Sequence, residues 1–104
     1  MEQLKILLCC GGGFSSGMLA QRCRKAAKKQ GIDATIDARS ESQVNDYLSK
    51  VHLLLLAPHY EMELEKFRKL AAPHNVKVSV IPRDIYGMMD GDRLIALAQK
   101  LVQE

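Results

Sequence analysis

Two hydrophobic rhythms alternate along this chain. Residues Leu4 to Cys9 form an apolar run, the pattern of a strand buried on both faces. After the segment CGGGFSSG the spacing becomes helical through Leu19, Cys23, Ala26 and Ala27, and Gly31 is placed to end that helix. Ile32, Ala34, Ile36 and Ala38 then alternate with more polar neighbours, as a half-buried strand does. Ser40 followed by Gln43 reads as a capping box that opens a short helix carrying Val44, Tyr47 and Leu48 on one face.

The second half repeats the scheme. His52 to Ala57 is nearly all leucine and is stopped by Pro58, which predicts another fully buried strand. Tyr60, Leu64, Phe67 and Ala71 make a helical stripe that ends by Pro73. Val76, Val78 and Val80 alternate with Lys77 and Ser79 before Pro82, giving a fourth strand. The last helix follows Asp90, with Leu94, Leu97, Ala98 and Leu101 inward. This βαβαβαβα series has no internal repeat. It calls for an α/β fold, a three-layer sandwich in which helices cover both faces of a four-stranded parallel sheet.

The strand patterns also predict the order. The two continuously apolar strands belong at the centre and the two alternating ones at the edges. With right-handed crossovers, the order 2-1-3-4 meets both conditions. In such a sheet a ligand binds at the carboxyl ends of the strands, where the order reverses beside the first strand. Cys10 falls at that place.

Composition narrows the class. With 104 residues and 47% hydrophobic content, one packed domain spanning 1–104 is expected. No apolar stretch reaches the roughly 18 residues of a membrane span, and the start MEQLKILL lacks the features of a secretory signal, so a cytosolic protein is expected. Three cysteines, two of them adjacent at Cys9 and Cys10, are not a disulfide framework. The net charge of +3 comes mainly from Arg22, Arg24, Lys25, Lys28 and Lys29. No aromatic residues interleave with them, which argues for a solvated helix face and against nucleic acid. Such a mildly basic surface favours an acidic or phosphorylated protein partner.

The candidate chemistry lies in Cys10, Gly11, Gly12, Gly13, Phe14, Ser15, Ser16 and Gly17. Three successive glycines let backbone N–H groups turn inward and form a nest for an anion. Ser15 or Ser16 can cap the helix or donate a hydroxyl to a phosphate oxygen. The helix N-terminus adds unsatisfied N–H groups and a positive dipole end, which also lowers a thiol's pKa. Cys9, one residue deeper and pointed oppositely by strand alternation, is expected to be core, as is Cys23 on the apolar helix face.

Several anion chemistries are disfavoured. A cysteine-dependent phosphatase needs an arginine six residues after its cysteine; here Ser16 occupies that position, or Ser15 counted from Cys9. A dinucleotide fingerprint fails because Ser16 stands where its last glycine belongs. The histidines and cysteines lack a metal-binding spacing. Two readings remain beside a thiol carrier of phosphoryl groups: a non-enzymatic anion-binding interaction module, and a low-molecular-weight phosphatase-like hydrolase. His59, after the third strand, reads first as a plain surface histidine and second as a residue facing the crevice, and Asp84 and Tyr86 lie beside that crevice.

The segments ILLCCGGGFSSGMLA, LLLLAPHYEMELEKF and IYGMMDG are similar, in order and spacing, to those of the cellobiose/lactose-type IIB components of the bacterial phosphotransferase system. The similarity runs over essentially the whole chain and includes a tyrosine-glycine turn at Tyr86-Gly87 followed by Asp90-Gly91. It implies a phosphotransferase without a cofactor or metal. A phosphohistidine on a IIA partner donates to Cys10, with Gly11 to Gly17 as the phosphate loop, and Cys10 passes the group to a cellobiose-type sugar bound in the membrane IIC permease. A monomer that docks transiently is expected. The chain departs from the family pattern in its extra Cys9 and in Gly17, where a serine or other small residue is frequent.

Overall fold

A computed structural model describes residues 3–10 and 14–103; at positions 10 and 14–16 it is the backbone path that is described. Four strands form one parallel sheet: β1 (Leu4–Cys10), β2 (Ala34–Ser40), β3 (Leu53–Leu56) and β4 (Lys77–Val80), in the order β2-β1-β3-β4. Both inner strands are the apolar runs. Leu53 to Leu56 are all completely buried, and a fully buried leucine contributes roughly 1.5–3 kcal/mol, so the leucine run stabilises the fold most at the sheet's centre.

Among the described residues five helices cover the sheet: α1 (Phe14–Lys29), α2 (Val44–Tyr47), α3 (Leu64–Ala71), α4 (Arg83–Met88) and α5 (Gly91–Gln103). Side-chain alternation along β1 divides the core in two. Ile6 and Leu8 face Leu19, Cys23 and Ala26 of α1, Ile85 of α4 and Leu94, Ile95 and Ala98 of α5. Leu7 and Cys9 face Val44, Leu48, Phe67 and Ala71 on the other side. The three layers and the 2-1-3-4 order are those the hydrophobic pattern predicts.

Local signals account for most boundaries. Gly31 adopts φ +72°, and the N–H groups of Gly31 and Ile32 donate to the carbonyls of Lys28 and Ala27 at 3.2 and 2.8 Å, a Schellman closure of α1. Pro58 opens a 3-10 segment, Pro58–Glu63, immediately after β3.

Three expectations need correction. The capping box at Ser40 does not form: the Ser40 hydroxyl lies 3.1 Å from that of Ser42 and donates to Gln43 Oε1 at 3.3 Å, without bonding to helix backbone. A 3-10 turn, Glu41–Gln43, intervenes before α2. Tyr86-Gly87 is not a turn but lies inside α4, which the chain leaves through Met89 in the left-handed region at φ 52°. Ser15 and Ser16 stand inside the first turn of α1 rather than before it, so neither is the capping residue.

Candidate functional site

The four strands end within one residue of one another. Cys10 pairs with Ser40, and Cys9 with Leu56. The Ala57 N–H donates to the Cys9 carbonyl at 3.0 Å, and the Ile81 N–H to that of Leu56 at 2.8 Å. From this common rim the chain turns into α1, the 3-10 turn after β2, the 3-10 segment after β3, and α4. Strand order reverses at β1, whose two neighbours are β2 and β3, so Cys10 closes the strand at the switch point.

Gly11, Gly12 and Gly13, in which the anion nest is predicted, lie outside the described residues. Phe14, Ser15, Ser16 and Gly17 are the first four residues of α1, the positions whose backbone N–H groups have no carbonyl partner within a helix. These donors and the dipole's positive end begin four residues beyond Cys10 in sequence, at Phe14. A Cβ added at Gly17 meets nothing within 4 Å, so packing does not require glycine there.

The other two cysteines are core residues. Cys9 has no exposed surface and belongs to the α2/α3 side of the core. Cys23 is 2% exposed, between α1 and α5. Burial pushes its thiol up from an ordinary 9.0 to about 12, with Asp90 and Asp92 adding to the rise and Arg24 opposing it. That thiol is protonated at neutral pH and poorly suited to nucleophilic work.

Aromatic and charged groups surround the rim. His59 is exposed and stacks at a tilt on Tyr60, ring centroids 4.8 Å apart, with the edge of Tyr86 at 6.2 Å. Arg83 reaches Glu61 at 3.8 Å, tying α4 to the 3-10 segment. Asp84 bonds Arg93 at 2.8 Å, which holds its carboxyl below the usual range. Among the methionines, Met88 is exposed whereas Met89 packs against the α1/α5 side of the core. On the opposite side, Arg39 lies in β2 one residue before Ser40 and sits over the Tyr47 ring at 4.8 Å. Arg39 gives no signal in sequence, because its place at the rim comes from strand pairing: it stands opposite Cys9.

A cysteine that ends a central parallel strand at the switch point, with a helix following it, is the arrangement of an open α/β domain whose candidate site lies at the carboxyl ends of its strands. Comparison with known proteins is more specific. Residues 5–97 match the family model for the lactose/cellobiose-specific IIB subunit of the phosphotransferase system, and the chain belongs to that family of phosphotransferases. It is 33% identical to the galactose-specific EIIB component of Lactococcus lactis subsp. cremoris and, equally, to the cellobiose-specific EIIB component of Lactococcus lactis subsp. lactis. Each alignment covers 98% of this chain and 99% of the relative. The solution structure of the cellobiose-specific IIB component from Borrelia burgdorferi superposes with a TM-score of 0.80 at 31% identity, covering 98% of this chain and 94% of that one. A lactose-specific EIICB component of Lacticaseibacillus casei aligns with 74% of this chain at 29% identity over 13% of its own length.

Proposed function

We propose that Cys10 is the phosphoryl-carrying residue of a IIB component. Its thiolate sulfur attacks the phosphorus of a IIA phosphohistidine; the P–N bond breaks and the imidazole leaves as the S–P bond forms. In the second step a hydroxyl oxygen of a sugar held by IIC attacks the same phosphorus. The S–P bond breaks, the hydroxyl proton is lost and the thiolate is restored. Placement of Cys10 at the end of β1, with three residues between it and the first residue of α1 in sequence, is the observation that carries this reading.

Gly11 to Gly17 supply backbone N–H groups to the phosphoryl oxygens in this account. Such donors stabilise the spread negative charge of phosphoryl transfer without positioning an attacking water. That suits a carrier, whose S–P bond must outlast the search for an acceptor. The acceptor is a β-glucoside of the cellobiose type. Among the described residues no helix is long and apolar enough to cross a membrane, and the protein acts in the cytoplasm, meeting the membrane through IIC.

Intact-protein mass after incubation with a phosphohistidine-bearing IIA protein tests the site. The wild type and Cys9→Ser each gain one phosphoryl group, and Cys10→Ser gains none. A phosphorylated Cys10→Ser chain, or an unphosphorylated wild type, overturns the reading.

A further inference from the structure

A groove of about 440 Å³ opens beside the candidate site, lined by Gly17, Met18, Gln21 and Arg24 of α1 and by Ala38 and Arg39 of β2. Its position follows from the fold. β2 is an edge strand, so alternate backbone groups of that strand face outward unpaired. Two arginines cover them: Arg24 Nε donates to the Ile36 carbonyl at 2.8 Å, and Arg39 Nη1 to the Ala38 carbonyl at 2.7 Å. Each bond uses one donor of a five-donor guanidinium and fixes its position. Arg39 is further held over Tyr47. Both side chains are thus largely ordered before any ligand arrives, which reduces the entropy lost on binding.

Among the described residues no carboxylate lines the groove. Asp37 lies 3.7 Å from Arg24 in a pair about half exposed on both sides, a weak contact that a better-placed anion displaces. Met18, 48% exposed, adds a flexible apolar contact at the rim. Arginine with methionine is an interface composition rather than a sugar-binding one. The groove adjoins the first turns of α1, and Arg39 stands one residue before the partner of Cys10 in the ladder.

Resting on the carrier reading above, we propose that this groove receives a carboxylate side chain of the phosphohistidine-bearing donor protein. Arg24 and Arg39 bind the donor and steer its negatively charged phosphoryl group toward Cys10. Arginines at such a place act mainly on encounter and affinity, and weakly on the chemical step.

Phosphorylation of the full chain by a IIA donor, followed by intact mass over a range of donor and salt concentrations, tests this. Arg39→Gln raises the donor KM about tenfold and flattens the salt dependence, while the rate at saturating donor falls far less. Arg24→Gln behaves in the same way. Lys69→Gln, which removes one exposed charge from α3, leaves KM unchanged. Should Arg24→Gln unfold, Arg39→Gln and the wild-type salt dependence carry the test alone. An unchanged KM in Arg39→Gln overturns the proposal, as does an equal rise in Lys69→Gln, which makes the effect one of net charge. Saturable binding of inorganic phosphate alone at Arg39 assigns the groove to a free anion and also overturns it. A wild type that accepts no phosphoryl group contradicts the carrier reading instead, so the two failures are distinguishable.

Discussion

Cys9 and Cys23 are sealed in opposite halves of the core, and Cys23 is also held protonated, its pKa raised to about 12 chiefly by burial. Alkylation by a thiol-directed reagent at pH 8, mapped by peptide mass, is therefore expected to modify Cys10 and spare the other two. Modification of Cys23 in the native chain contradicts the assignment. The shift also has a sign in stability. The native state keeps the Cys23 thiol neutral where the unfolded chain ionises it near 9.0. Its contribution is complete below that pH and is lost as pH rises toward 12. Strand alternation and helix periodicity are enough to place Cys9 and Cys23 in the core from sequence. The rim arginine Arg39 is not legible in that way, because a residue at a strand end acquires its neighbours only from pairing.

Among the elements, helix α5 depends on a contact that its own sequence does not reveal. Asp90 caps it, accepting the Arg93 N–H at 3.1 Å on its carboxylate. Gly91 then passes so close to α1 that an added Cβ would collide with the Arg22 carbonyl group and lie 2.8 Å from the Cys23 nitrogen. Because those are backbone atoms, Gly91→Ala is expected to cost about 2–3 kcal/mol, read as a loss of Tm by thermal unfolding. Gly87, inside α4 with nothing within 4 Å of an added Cβ, gives the opposite result: Gly87→Ala stabilises by about 0.5–1 kcal/mol. Equal effects at the two positions contradict this account of the α1/α5 contact. Helix α4 escapes sequence reading for a related reason. It has six residues, Ile85 is its buried one, and Gly87 interrupts it, so no helical stripe is present to see. The capping box at Ser40 misleads because the serine's neighbours Ser42 and Gln43 compete for its hydroxyl.

At the scale of the whole molecule, the topology follows from which strands are continuously apolar and which alternate. A leucine run buried on both faces can only be interior, and β1 must then lie beside it to bring its own apolar run inside. That arrangement, together with right-handed crossovers, sets Cys10 at the switch point, which is why the hydrophobic pattern goes far toward locating the candidate site. The sugar is another matter. Equal identity to relatives named for galactose and for cellobiose shows that overall similarity does not separate the two. The measurement that tests the carrier account most directly is the fate of the phosphoryl group. Phosphorylated protein, freed of donor, is mixed with membrane vesicles bearing a cellobiose-type IIC and with the sugar. The account predicts sugar phosphate formed in step with loss of the protein's phosphoryl mass, and a phosphorylated protein that persists when the sugar is withheld. Release of inorganic phosphate at the same rate with and without sugar would contradict it and make this chain a hydrolase.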